Sequence, residues 1–106
     1  MEPILVFITA GDDAEAERIA EALLSSRLAA CVNRLPNVES GFWWQGARDR
    51  ASEVLLLAKS RRELWPRLLD AVRASHSYEV FECIAVPIVE GSPEYLQWIE
   101  ETTRPQ

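Results

Sequence analysis

Residues 4–8 read Ile4-Leu5-Val6-Phe7-Ile8, an unbroken run of β-favouring side chains that predicts a strand buried on both faces. The run ends at Gly11, and Asp12 or Asp13 then supplies the N-cap of a helix. Apolar residues recur at helical spacing after this cap, at Ala16, Ile19, Ala20, Leu23 and Leu24. We expect that stripe to cover one face of a sheet. The charged residues on the outer face of the helix are then Glu15, Glu17, Arg18 and Glu21.

The middle of the chain carries three further strand patterns. Ala29 to Leu35 is the first, and Val38 to Gln45, which ends at Gly46, is the next. Pro36-Asn37 separates them, although the two runs are also compatible with one long bent ribbon. The third pattern, Ser52 to Lys59, is apolar at its centre and is also expected to be buried on both faces. We expect it to pair with the preceding strand through a loop around residues 47–50.

The second helix has two candidate starting points. Ser60-Arg61-Arg62-Glu63 fits a capping box, in which the hydroxyl and the carboxylate each accept a backbone hydrogen bond from the other residue. Pro66 would then fall inside the helix, where it clashes with the carbonyl of Arg62, so the alternative is a start nearer Leu64. An inward stripe continues in either case, at Leu64, Leu68, Leu69 and Val72.

The last third of the chain predicts one strand and one helix. Val80 to Val89 is the strand, and Pro87 within it indicates a sheet edge or a bulge. Ser92-Pro93-Glu94 is typical of a helix start, while Thr102 to Gln106 are expected to fray. The predicted order is βαβββαβα in a single domain that spans residues 1–106. This order indicates an α+β ferredoxin-like sandwich.

Composition excludes two classes of partner. The 106 residues contain 17 Asp and Glu against 11 Lys and Arg, a net charge of -6. Nucleic acid and anionic membrane surfaces repel such a chain, so we expect neither as a partner. No basic segment precedes an apolar stretch near Met1, and the longest apolar run is too short to span a bilayer. The expected location is cytoplasmic, where Cys31 and Cys83 stay thiols.

The pair Trp43-Trp44 bears on assembly. Adjacent residues of a strand point to opposite faces, so both indoles cannot enter the same core. An exposed Trp beside strands that are apolar on both faces is unusual in a solitary small domain, and we therefore expect a partner subunit. In the alternative, the last helix folds back over the second face through Trp98.

A larger pattern runs from about Ile4 to Thr103. Its members are Ala29-Ala30-Cys31-Val32-Asn33, Pro36, Ser40, Trp44-Gln45-Gly46, Glu53, Lys59, His76, Tyr78-Glu79, Pro87, Gly91 and Tyr95-Leu96-Gln97-Trp98. Together they resemble the CutA family of divalent-cation tolerance proteins. The resemblance implies a ferredoxin-like fold assembled into a homotrimer, in which strands of neighbouring subunits pair and leave clefts between subunits. It also implies a link to copper tolerance, and the architecture resembles that of PII-type signalling trimers.

The chain departs from the family pattern around its histidine. Ser77 and Phe81 stand where the family usually has prolines, which frees backbone angles and predicts a more mobile loop. Ile8 and Ser75 stand where some members have a cysteine and a second histidine. Two soft metal ligands are therefore absent.

His76, the only histidine, is the leading candidate for a metal site. Imidazole is the commonest copper and zinc ligand, and carboxylate help from Glu79 would suit Cu(II). A single histidine binds weakly, so we expect Cu(II) to be weakly bound. In the alternative, His76 is structural, caps the preceding helix and bonds a carboxylate.

A second group of residues is assigned to a ligand cleft between subunits: Asn33, Trp44, Lys59, Tyr78 and Glu82. Lys59, at a strand end, would bind an anionic ligand there or pair with Glu79. Glu82 is either a metal or proton-transfer carboxylate or an ordinary charge at a strand edge. Tyr78 is expected to pack at an interface with its hydroxyl bonded, and Asn33 to serve a strand end.

Three functional classes follow from these residues. The first is a non-catalytic homotrimer that binds copper or another divalent metal ion. The second is a PII-like signalling or scaffold trimer whose clefts bind a small anion or a protein partner. An enzyme is the least supported, because the chain has no G-x-S-x-G, P-loop or G-x-G-x-x-G motif and no paired histidines.

Overall fold

One antiparallel sheet and three helices make up residues 1–104, the part of the chain that the structure, a computed structural model, describes. The strands are β1 (Pro3–Ala10), β2 (Cys31–Trp44), β3 (Ala47–Arg61) and β4 (Cys83–Pro87), in the order β2-β3-β1-β4. The helices are α1 (Asp13–Ser25), α2 (Trp65–Ser75) and α3 (Pro93–Thr102), with a 3-10 turn at Arg62–Leu64. The predicted α+β class is confirmed, whereas the predicted strand count is wrong.

The second and third predicted strands are one strand, β2. Its pairing with β3 continues on both sides of Pro36-Asn37, where the register shifts between Leu35 and Val38. Such a bulge accommodates the proline and the positive φ of Asn37, 62°. The chain reverses at Gln45-Gly46, whose φ angles are 51° and 80°, and residues 47–50 belong to β3 rather than to a loop.

Helix α2 begins where Pro66 allows it to begin. Ser60 lies inside β3, fully buried, and its hydroxyl donates to the Leu28 carbonyl at 2.6 Å, so the predicted capping box is wrong. The helix starts at Trp65 with Pro66 in its first turn, where an N–H would have no intrahelical acceptor. The alternative start near Leu64 is therefore confirmed.

Strand β4 is shorter than predicted and occupies an edge of the sheet, as Pro87 indicates. The Ile88 N–H donates to the Pro3 carbonyl at 3.0 Å. Because hydrogen bonds alternate along a strand, the nitrogen of Pro87 faces the free edge, where no ladder bond is lost.

The two faces of the sheet differ in their cover. Helices α1 and α2 pack on one face, whose strand residues are buried: Ile4, Val6, Ile8, Ala10, Val54, Leu56 and Ala58. The opposite face, called the open face below, consists of Leu5, Phe7, Leu35, Leu55, Leu57, Ile84 and Val86. Ile84, on the edge strand β4, is 55% exposed. The prediction of strands buried on both faces is therefore wrong for the single chain, because α1 and α2 cover one side only.

Helix α3 packs over one end of the open face. The Arg61 side chain at the end of β3 donates to the Glu100 carbonyl and, at 3.1 Å, to the Thr103 hydroxyl. Thr103 is fully buried, so the expectation that it frays is wrong. The same expectation for residues 105 and 106 lies outside the described residues.

Strands β2 and β3 continue past the rest of the sheet as a two-stranded arm, defined here as residues 38–53. Strand β1 pairs with β3 only as far as Val54, so no third strand supports the arm. Trp43 and Trp44 lie near the tip of the arm on opposite faces and are 72% and 49% exposed. Trp98 does not cover them, because it packs on Tyr95 at the far end of the molecule, with ring centroids 5.5 Å apart.

Candidate functional site

A cleft of about 820 Å³ lies where the arm leaves the sheet, on the side of the open face. The arm, the end of β1 and the loop between α2 and β4 form its walls. Its aromatic residues are Phe42, Trp44, Tyr78 and Phe81, and its carboxylates are Glu53, Glu79 and Glu82. The cleft thus brings together the predicted site residues Trp44, Tyr78, Glu79 and Glu82 and adds Glu53, which sequence reasoning did not assign to the site.

The cleft is acidic. No Lys, Arg or His side chain within residues 1–104 lines it. Partial desolvation and then the charge of Glu53 raise the pKa of Glu82 above its ordinary value. The Tyr78 hydroxyl donates to Glu53 Oε2 at 3.0 Å, and burial followed by this bond raises the pKa of Tyr78 to about 12. The tyrosine therefore stays neutral and acts as a donor to the carboxylate.

Gly11 lies directly against the Tyr78 ring. A Cβ at residue 11 would stand 3.1 Å from the Tyr78 hydroxyl oxygen, a tight contact that would push the phenol aside. The glycine that ends the β1 run therefore gives the phenol the space it needs to reach Glu53.

His76 is held inside the loop rather than presented to the cleft. Its side chain has no exposed surface, its Nε2 lies 2.7 Å from the Thr9 carbonyl oxygen, and its Nδ1 accepts from the Tyr78 N–H at 3.0 Å. The two bonds fit the neutral ring with its proton on Nε2, so both nitrogens are engaged. Metal binding by His76 stays a prediction, and it requires the ring to release one of these bonds.

Glu15 connects helix α1 to the histidine loop. This carboxylate is 3% exposed and accepts from the Gly11 N–H at 2.8 Å and the Ser77 N–H at 2.6 Å. Burial alone would raise its pKa, but these hydrogen bonds lower it below the ordinary value. The prediction that Glu15 lies on the outer face of α1 is wrong. The sequence did contain a sign of this role, because Glu15 lies three residues after the N-cap Asp12, the spacing of a capping box. The Asp12 side chain accepts from the Glu15 N–H at 2.8 Å.

The residues that replace the family prolines make contacts of their own. The Ser77 N–H that bonds Glu15 is a donor that proline lacks. The Phe81 ring stacks on His76, with centroids 5.0 Å apart and an interplanar angle of 18°, and the Arg73 guanidinium lies 5.3 Å from the Phe81 centroid. Hydrogen bonding and stacking therefore restrain this loop where the family pattern would use proline rings.

Lys59 and Asn33 lie outside the cleft. The Lys59 ammonium donates to Asn33 Oδ1 and lies 3.8 Å from the Cys31 sulfur, on the open-face side of the sheet. The alternative in which Lys59 pairs with Glu79 is not found among the ion pairs of residues 1–104. The structure therefore divides the predicted cleft residues into two places.

Neither a ready metal cluster nor a membrane helix is found in the part of the chain that the structure describes. No three His, Cys, Asp or Glu side chains of residues 1–104 are grouped to hold a metal ion. No helix there has the length and apolar character needed to cross a bilayer. Cys31 and Cys83 are free thiols, and burial raises the pKa of Cys83 to about 11. The cytoplasmic location stays a prediction.

Comparison with known proteins identifies the family. The family model described as CutA1 divalent ion tolerance protein matches residues 4–102. The divalent-cation tolerance protein CutA of Archaeoglobus fulgidus is 45% identical over 92% of this chain and 94% of its own. The chloroplastic protein CutA 1 of Oryza sativa is 41% identical over 95% of this chain, which spans only 57% of that protein.

The fold agrees with this identification. The crystal structure of CutA1 from Oryza sativa superposes with a TM-score of 0.96 at 39% identity, over 100% of this chain and 97% of that one. The sequence match and the fold therefore agree over nearly all of the described residues. The chain belongs to the CutA1 divalent ion tolerance protein family.

Proposed function

We propose that this chain forms a homotrimer that binds divalent cations, Cu(II) among them, and catalyses no reaction. The observation that carries the proposal is the cleft beside the arm, which has three carboxylates and, within residues 1–104, no basic side chain. Such a cleft attracts cations. The relatives named divalent-cation tolerance proteins support the same class of ligand.

The open face and the arm support self-association. The open face is an apolar surface that no element of residues 1–104 covers apart from α3 at one end, and the arm extends both indoles into solvent. Soluble monomers rarely expose such a continuous apolar surface. In the proposed trimer, strands of neighbouring subunits pair and the open faces meet, so each cleft lies near a subunit boundary.

We propose that Cu(II) binds weakly, through His76 and Glu79. Imidazole and carboxylate suit this ion, but His76 must first release the Thr9 carbonyl or the Tyr78 N–H. That loss subtracts from the binding free energy. Glu79 is exposed at the cleft and is free to move toward the ion.

A small anion is not favoured as the ligand of this cleft. It would meet Glu53, Glu79 and Glu82, and the Lys59 ammonium is bonded to Asn33 outside the cleft. The charges of the described residues therefore support the cation-binding class over the anion-binding, PII-like alternative.

Calorimetric titration with Cu(II) tests the proposal. Wild type should bind weakly, and more weakly at lower pH because protons compete with the metal for imidazole. Glu79→Gln and His76→Ala should each reduce the affinity, whereas Glu39→Gln, which removes an exposed carboxylate of the arm outside the cleft, should not. No binding to wild type would disprove the cation-binding function. Equal affinity of the His76→Ala variant would show that the histidine is structural only.

A further inference from the structure

Glu53 is a buried charge without a counter-charge. Its side chain lines the cleft although the residue is only 8% exposed. Its one side-chain hydrogen bond among residues 1–104 comes from the Tyr78 hydroxyl to Oε2, whereas Oε1 has no such partner there and is open to solvent in the cleft. The ion pairs of those residues do not include it. A cation from outside the chain can therefore reach this oxygen and pair with it.

The walls of the cleft indicate what kind of cation fits. Phe42, Trp44 and Tyr78 present aromatic surface, and the volume of about 820 Å³ is that of a site for a small molecule rather than a bare ion. The faces of aromatic rings attract ammonium and guanidinium groups. A bare metal ion is less suited to the interior of the cleft, because the carboxylates of the described residues that line it are not grouped closely enough to hold one.

We infer that the cleft binds a small organic cation, an ammonium or guanidinium group on an apolar stem. The cationic group pairs with the open oxygen of Glu53 and with Glu82, and the stem lies against Phe42 and Trp44. This ligand class goes beyond divalent-cation binding: it shares the acidic cleft with the proposed function but uses Glu53 and Glu82 rather than His76 and Glu79.

Two features of the carboxylates support this ligand. Glu53 and Glu82 line the same cleft, and desolvation followed by the charge of Glu53 raises the pKa of Glu82. A guanidinium group offers a planar fork of donors and so satisfies two carboxylates at once. The Tyr78 hydroxyl keeps Glu53 Oε2 in place, which leaves Oε1 for the ligand.

The experiment is a calorimetric titration of the assembled protein with n-butylguanidinium chloride. n-Butylurea is the matched ligand control, because it has the same shape without the charge. Magnesium chloride controls for charge alone. The protein variants are Glu53→Gln, which keeps an acceptor for Tyr78, and Glu82→Gln. Glu39→Gln removes a carboxylate of the same arm outside the cleft and is the matched protein control.

We expect wild type and Glu39→Gln to bind n-butylguanidinium, and both cleft variants to bind it about tenfold more weakly. n-Butylurea and magnesium should not compete with it. Equal binding of n-butylurea, or unchanged affinity in both cleft variants, would overturn the inference. If Glu53→Gln does not fold, the exposed Glu82 provides the same test.

One further outcome shows whether Glu53 is paired with a small-molecule ligand or with a cationic side chain of a neighbouring subunit. Wild type that fails to bind n-butylguanidinium, together with a Glu53→Gln variant of lower assembled mass, would mean that a neighbouring subunit's cationic side chain neutralises Glu53. That result would overturn the small-molecule inference. Copper titration of the same samples reports separately on divalent-cation binding.

Discussion

The two faces of the sheet are built from the same kinds of residue and yet differ in burial. On the face that α1 and α2 cover, Val6, Ile8 and Leu56 are 0% exposed. On the open face, Leu35 and Ile84 are 40% and 55% exposed. Apolar side chains lose water only when something packs on them, and the chain supplies that cover for one face. In the proposed trimer, neighbouring subunits supply the cover of the second face.

The largest effect is expected from a charge placed on the open face. Ile84→Asp should reduce the assembled mass from about three times 12.0 kDa to that of one chain, because a carboxylate cannot be buried there without a partner. Trp43→Asp tests the arm in the same way. Leu24→Asp places the same charge on an exposed part of α1 and should leave the mass unchanged. Light scattering during size exclusion measures all three, and wild type of single-chain mass at micromolar concentration would contradict the prediction.

Two adjacent leucines of β3 allow the stabilisation from each sheet face to be measured separately. Leu56→Ala, on the covered face, should cost about 2–5 kcal/mol of unfolding free energy in any state of assembly, because a fully buried side chain leaves a cavity. Leu57→Ala, on the open face, should cost less than Leu56→Ala in an Ile84→Asp background and approach the same cost in the assembled protein. Denaturant titration in both backgrounds measures this. Equal costs of the two substitutions in the dissociated variant would contradict it.

A smaller effect is expected from the buried carboxylate of α1. The pKa of Glu15 is lowered in the folded state, so its stabilisation is present above the ordinary value of 4.5 and is lost as pH falls through the lowered pKa. Glu15→Gln should destabilise the protein by about 1–3 kcal/mol at neutral pH and reduce the loss of stability in acid. Glu17→Gln, exposed on the same helix, should change stability by less than about 0.5 kcal/mol.

Acid unfolding of both variants, followed by circular dichroism, is the measurement. If Glu15→Gln had the same acid-dependent loss as Glu17→Gln, the hydrogen bonds from Gly11 and Ser77 would not stabilise the folded state.

Local patterns predicted most of the fold. The stripe of α1 and the run of β1 follow from residue spacing, and Asp12 acts as the N-cap. The sequence pattern was misleading at Pro36, because a proline usually ends a strand. Strand β2 continues through a bulge there, and only its pairing with β3 reveals this. Ser60 was also misassigned, since its acceptor, the Leu28 carbonyl, is distant in sequence.

The site was predictable where its residues are close in sequence. Tyr78, Glu79 and Glu82 share one loop and line the same cleft, although Glu79 was predicted as the metal-site partner of His76. Glu53 was seen only as part of the family pattern, because its contact with Tyr78 spans 25 residues and nothing beside it signals a site. The bond between Glu15 and Ser77 spans 62 residues, so a charge that appears solvent-facing on its own helix is buried by a distant loop.

The prolines at the two sheet edges have a consequence for uncontrolled polymerisation. An exposed edge strand is a template on which further chains can add to form a fibre. β2 and β4 are the two edges here, and Pro36 interrupts the first while Pro87 removes an outward-facing donor from the second. An added strand can therefore pair without interruption only over a short stretch at either edge, which disfavours open-ended growth.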